Sequence, residues 1–159
     1  MVSSSRPGDL HVANDLRLAR EDLKAADALL AIHNRFAAYH YQQCAEKVLL
    51  ALLTAEGTQI ERREVHRLDV LRDKLPDENP FKERLDPLTV LTLYATTYRY
   101  PKEGGRLPAT PSRDTMDGWA SQLQNIVTDA AKHFGVDLSA SDRIPASNLA
   151  PPRSSKPIS

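Results

Sequence analysis

Apolar residues recur at intervals of three and four through Leu16, Ala19, Leu23, Ala26 and Leu30. They form one stripe of a helix whose other faces carry Arg17, Arg20, Glu21, Lys24 and Asp27. Asp9 or Asn14 is placed to cap its start. A second helix is expected from just after Asn34 to near Gly57, a residue suited to the left-handed turn that follows a helix. Its first half, Tyr39 to Lys47, is polar and aromatic, whereas Val48 to Leu53 is apolar all round and belongs in a core. Gln42, Gln43, Glu46 and Lys47 therefore stand at the edge of that core, either in water or in a partly enclosed polar site.

Residues 58–65 read as a polar connector, and a shorter helix is expected from about His66 to Leu75, with Leu68 and Leu71 or Leu75 inward and Pro76 as its stop. Asp77 to Leu85 reads as loop or a single turn. Asp86-Pro87 has the form of a helix start, cap followed by a proline whose missing N–H costs nothing in the first turn. Leu88, Leu91, Tyr94 or Ala95, and Tyr98 continue its stripe, and Pro101 sets the end near Tyr98 to Tyr100, leaving Arg99 at a helix C-terminus. Pro101 to Pro111, with Gly104-Gly105, is expected to be an exposed, mobile loop. Ser112 is the expected cap of a last helix that carries Met116, Trp119, Leu123, Ile126 or Val127, Ala130 and Phe134 inward and closes at Gly135. No stretch alternates in the manner of a strand. The expected fold is all-α, an antiparallel bundle of four long helices plus one short helix, spanning residues 12–135 between a flexible 1–11 and a disordered Ser/Pro-rich tail at 136–159.

Composition narrows the function classes. The 159 residues hold 21 Lys and Arg against 21 Asp and Glu, so no field of the whole chain draws it to nucleic acid or to an anionic membrane, and any such contact has to be local. The lone cysteine, Cys44, has no partner for a disulfide within the chain and lies in the helical run, which points to a cytoplasmic protein and a small core side chain. No segment has the length and hydropathy of a membrane span or of a signal peptide. His33, His40 and His66 lack the spacing with carboxylates that zinc sites use, and no metal or cofactor is expected. His66 is placed instead to cap the short helix or to hydrogen-bond with Gln43 or Glu46.

Three groups of residues then stand out together: Tyr39-His40-Tyr41-Gln42-Gln43-Cys44-Ala45-Glu46-Lys47, His66-Arg67-Leu68, and Leu93-Tyr94 through Tyr98-Arg99-Tyr100-Pro101. In this order and context the chain resembles the HEPN domain, the higher eukaryotes and prokaryotes nucleotide-binding family. The resemblance implies a helical bundle that forms a homodimer, often acting beside a minimal nucleotidyltransferase, in a toxin–antitoxin or defence setting. Several members are metal-independent ribonucleases that carry an arginine, then four to six residues, then a histidine. Arg99 matches that arginine, yet the residues that follow run Tyr100-Pro101-Lys102-Glu103-Gly104-Gly105-Arg106 without a histidine. Arg35 and His40 have the spacing but stand at the start of the second helix, where an offset of five turns the side chains apart. Arginine alone holds phosphate and cannot shuttle protons at neutral pH, so no catalytic residue is assigned.

The candidate nucleotide site consists of Gln43, Lys47, Tyr94, Tyr98 and Arg99. Arg99 offers a planar fork for phosphate, Lys47 a second cation, and the tyrosines, with Tyr39, Tyr41 and Tyr100, offer rings for a base to stack on. The competing account of both cations is an ion pair with Glu46 or another carboxylate, and of the tyrosines a place in the core or in a dimer surface. Three functions follow from these alternatives. The first is a non-catalytic homodimeric module that binds a nucleotide or a partner nucleotidyltransferase. The others are a ribonuclease toxin with an atypical RNA-cleaving site, and a structural adaptor dimer without a ligand.

Overall fold

In the computed structural model, which describes residues 8–140, every regular element is helical. Helix α1 spans Asp9–Ala31 and α2 spans Phe36–Ala55. A single 3₁₀ turn, Arg62–Glu64, precedes α3 at Leu68–Asp73. The four-residue α4, Lys82–Leu85, runs directly into a 3₁₀ segment, Asp86–Ala95, and α5 spans Arg113–Phe134. The α1 stripe lies against α2 along most of its length, and α2 also meets α3, the 3₁₀ segment and α5, which makes it the central element. Its apolar second half accounts for this position, because Val48, Leu49, Ala51, Leu52 and Leu53 are all essentially without solvent contact.

Several boundaries depart from the pattern of the sequence. Helix α1 opens at Asp9 after Gly8, with Asp9 in its first turn, where a carboxylate favours the helix dipole; neither Asp9 nor Asn14 is the cap. The short helix begins at Leu68, so His66 does not cap it, and Leu68, Leu71 and Leu75 are all buried. The largest correction concerns the expected fourth long helix. Asp86 has helical backbone angles and continues α4 where a cap would break it, and the segment that follows is 3₁₀ and ends at Ala95. Among the described residues the long helices are therefore three, α1, α2 and α5. Leu85, Leu88 and Leu91 are buried at intervals of three, a row that a 3₁₀ helix, with three residues per turn, keeps on one face, and the next buried positions are Ala95 and Tyr98. Val90 and Leu93 fall on another face and are 56% and 62% exposed.

At the last helix the cap is the expected one. The Ser112 hydroxyl oxygen accepts the Thr115 N–H at 3.2 Å, and Gly135 closes α5 with φ +66°, in the left-handed region. Trp119, buried at 8% exposure, meets Tyr41 of α2 and Tyr94 of the 3₁₀ segment, with ring centroids 6.5 and 5.5 Å apart. Past Gly135 the chain stays on the body, since Val136 and Leu138 pack partly against the core and Arg17 Nε donates to the Asp137 carbonyl at 3.1 Å. Residues 1–7 and 141–159, which include most of the expected flexible ends, lie outside the described residues.

Candidate functional site

The start of α2 and the end of the 3₁₀ segment meet in a row of rings. Tyr94 and Tyr98 stack at 5.6 Å between centroids, and Phe36 meets Tyr98 edge to face at 6.1 Å. Between them opens a hollow of about 130 Å³ lined by Phe36, Tyr39, Tyr94, Ala95, Thr96, Tyr98 and Arg99, with walls almost entirely of carbon. Arg99 is exposed at its rim and has no carboxylate partner among the described residues.

Tyr94 and Tyr98 stay protonated at neutral pH. Burial raises Tyr94, and burial followed by the neighbouring Tyr94 pushes Tyr98 up to about 12, against a smaller lowering by Arg35. The Tyr98 hydroxyl donates to the Ala109 carbonyl at 3.0 Å, and Arg35 Nη1 donates to the Pro108 carbonyl at 2.6 Å. Two residues of the site region therefore fasten the far end of the 101–111 loop, which was expected to move freely; 101–107 is exposed, whereas Pro108 is buried.

Three of the five sequence-proposed residues, Tyr94, Tyr98 and Arg99, are thus brought together, and Gln43 and Lys47 do not line this hollow. Lys47 Nζ donates to Asp22 Oδ2 on α1, and His40 Nδ1 lies 2.9 Å from the other oxygen of the same carboxylate, which is only 13% exposed. The ion-pair account holds for Lys47, with a partner on α1. Gln43 Nε2 donates to Gln42 Oε1 at 2.6 Å. Gln42 itself has no solvent contact and its Nε2 has no partner. His66 Nδ1 is 2.6 Å from Glu46 Oε1, one of the two partners expected, and this bond ties the connector before α3 to α2. Arg35 reaches toward the 101–111 loop and His40 toward α1, so these two residues of ribonuclease spacing do not converge.

Phe36, Ala95 and Thr96 were not among the sequence candidates. Phe36 stands three residues before Tyr39, on the same helical face, and that spacing is the signal that marks it. Asp22 carried no signal of its own, because nothing along α1 separates an aspartate facing α2 from one facing water.

The described residues thus form an all-α domain with an aromatic hollow and, at its rim, an arginine that has no carboxylate partner among them. A family model for the HEPN domain matches residues 14–132. The chain belongs to the HEPN domain family. No curated protein and no solved structure matches it. Among the described residues no helix is long and apolar enough to cross a membrane.

Proposed function

We propose that this chain is a non-catalytic HEPN module that binds a nucleotide, with the base in the hollow of Phe36, Tyr39, Tyr94 and Tyr98 and the phosphate on Arg99. The observation that carries this reading is the meeting of four aromatic rings and one unpaired guanidinium in a single hollow. A ring of the base replaces water against apolar walls, and the planar fork of Arg99 grips phosphate oxygens outside. No histidine, cysteine or carboxylate is among the lining residues, and Tyr94 and Tyr98 hold their protons too firmly to act as bases near pH 7. Binding without cleavage is the chemistry such a site supports.

The module pairs with a second copy and works beside a minimal nucleotidyltransferase in a toxin–antitoxin-like or defence context. Exposed apolar side chains support the pairing: Val90 and Leu93 form one face of the 3₁₀ segment that ends at the hollow, and Phe36 and Tyr100 are also exposed. Calorimetric titration with AMP and ATP tests the site. The expected result is binding that weakens at least tenfold in Arg99→Ala and in Tyr94→Ala, with RNA left intact by the wild-type protein. Absence of binding by both nucleotides, or affinity unchanged in both variants, refutes nucleotide recognition here; cleavage of RNA refutes the non-catalytic reading.

A further inference from the structure

A second, larger cleft of about 750 Å³ opens between the solvent side of α1 and residues 138–140, and shares no lining residue with the aromatic hollow. Its α1 wall carries Arg17, Leu18, Arg20, Glu21 and Lys24, which lie between the buried positions of the stripe. The other wall is the chain that leaves α5 after Gly135. Leu138 packs partly on the core, and the Asp137 carbonyl accepts both Arg17 Nε at 3.1 Å and the Ala140 N–H at 3.3 Å. The Asp137 carboxylate is taken up by Ser139, accepting its N–H at 2.9 Å and its hydroxyl at 2.6 Å. Arg17, whose Nη1 also donates to Asn14 Oδ1 at 3.0 Å, is committed to holding the two walls together.

Arg20 and Lys24 have no such task. Neither pairs with a carboxylate among the described residues, and Glu21 is the single acidic side chain of the lining against three cations. A cleft of one dominant sign draws ligands of the other. Its spacing narrows the choice further. Four residues apart on a helix, Arg20 and Lys24 stand about 6 Å apart along the axis. In an extended peptide, side chains two residues apart point the same way about 7 Å from one another, and the residue between them points the opposite way. Carboxylates at the first and third positions therefore meet Arg20 and Lys24, while the middle side chain turns to the wall that carries Leu138. Leu18, 47% exposed, adds apolar surface that a bare polyphosphate would leave against water. The sequence beyond Ala140 holds one acidic residue, Asp142, against Arg143, Arg153 and Lys156, the wrong sign for this cleft.

We propose that the cleft between α1 and residues 138–140 is a docking site for an extended segment of a partner protein with the pattern acidic–apolar–acidic, its carboxylates on Arg20 and Lys24 and its middle side chain on Leu18 and Leu138. The site is separate from the aromatic hollow, so its failure leaves the nucleotide reading untouched. Glu21 between the two cations disfavours a ligand that is negative along its whole length, and leaves room for the peptide backbone, whose N–H groups a carboxylate accepts.

The test titrates the full chain, labelled with nitrogen-15, with the blocked peptide Gly-Glu-Leu-Glu-Gly and follows the amide signals by NMR. Expected are shifts at Leu18, Arg20, Lys24 and residues 138–140 at peptide concentrations up to about 10 mM, a several-fold weaker response to Gly-Glu-Ser-Glu-Gly, and none to Gly-Lys-Leu-Lys-Gly. Affinity should fall about fivefold or more in Arg20→Gln with Lys24→Gln, two exposed ion pairs being lost, and several-fold in Leu18→Ser, with circular dichroism unchanged in each. No shift at these residues, an equal response to the lysine peptide, or an affinity unaltered in the double variant overturns the site. Tripolyphosphate or hexauridylate bound as tightly as the peptide means a general anion site and overturns the assignment to a protein partner. Signals of residues 141–159 that move in the double variant without any peptide mean that the chain's own continuation fills the cleft, and self-association lost in that variant means that a second copy does; either result also overturns the proposal.

Discussion

Replacing Gln42 by methionine is expected to stabilise this protein. Gln42 is wholly buried on α2, its Nε2 has no partner, and its Oε1 receives a single bond from Gln43 at 2.6 Å. A buried donor left unpaired costs about 1–3 kcal/mol, while a typical hydrogen bond contributes about 1 kcal/mol net. Methionine has nearly the same length and volume, so packing changes little, and the freed Gln43 amide, which is half-buried, reaches water. The balance is a gain of about 1 kcal/mol, or about 3 to 5 °C in Tm for a domain of this size. Thermal melting followed by circular dichroism, together with urea unfolding at an unchanged m value, measures it. A Gln43→Ala variant should lose about 1–3 kcal/mol, because it leaves the buried Gln42 Oε1 without its donor. If Gln42→Met loses 1 kcal/mol or more, the amide is doing work with a partner, and the picture of an orphaned donor beside the core is wrong.

Three further outcomes are expected. Tyr98→Phe removes the bond to the Ala109 carbonyl and about 1 kcal/mol, and trypsin should then cut faster at Lys102 and Arg106; an unchanged cleavage rate contradicts the role of that bond in fastening the loop. Burial holds the Asp15 carboxyl above its ordinary value, against smaller opposing pulls from His11 and Lys47, so its ionisation opposes folding. The raised folded-state value means that its favourable contribution is complete below the unfolded pKa and is lost as pH rises through the folded one. Asp15→Asn should therefore be more stable than wild type at pH 7 by a margin that shrinks toward pH 4, and a margin constant with pH speaks against this origin. Cys44 is fully buried, and burial first, then the nearby Asp22, pushes its thiol well above the usual range. It should resist iodoacetamide in the native protein and react once urea unfolds it; rapid native labelling would mean that α2 opens locally.

Periodicity along the chain determined the all-helical character, the inward faces of α1 and α5, the burial of the second half of α2, and the cap and stop of α5. Each is a local matter: a stripe at helical spacing must be covered, Ser112 meets its own first turn, and Gly135 adopts an angle that other residues avoid. The aromatic pair Tyr94 and Tyr98 with Arg99 was legible for the same reason, since neighbours in sequence stay neighbours in space. The interval of three from Leu85 to Leu91 is compatible with the 3₁₀ geometry, although a proline after an aspartate resembles a helix start more closely than a continuation.

Tertiary packing alone decided which partners the charged residues found. Lys47 directly follows Glu46 and stands one turn after Gln43 in sequence, yet the docking of α1 brought Asp22 to it and left Glu46 to His66. Nothing in either helix taken by itself selects between those pairings, because the choice depends on the rotation of one helix about its axis when it meets the other, and that rotation is set by how the two apolar stripes interlock.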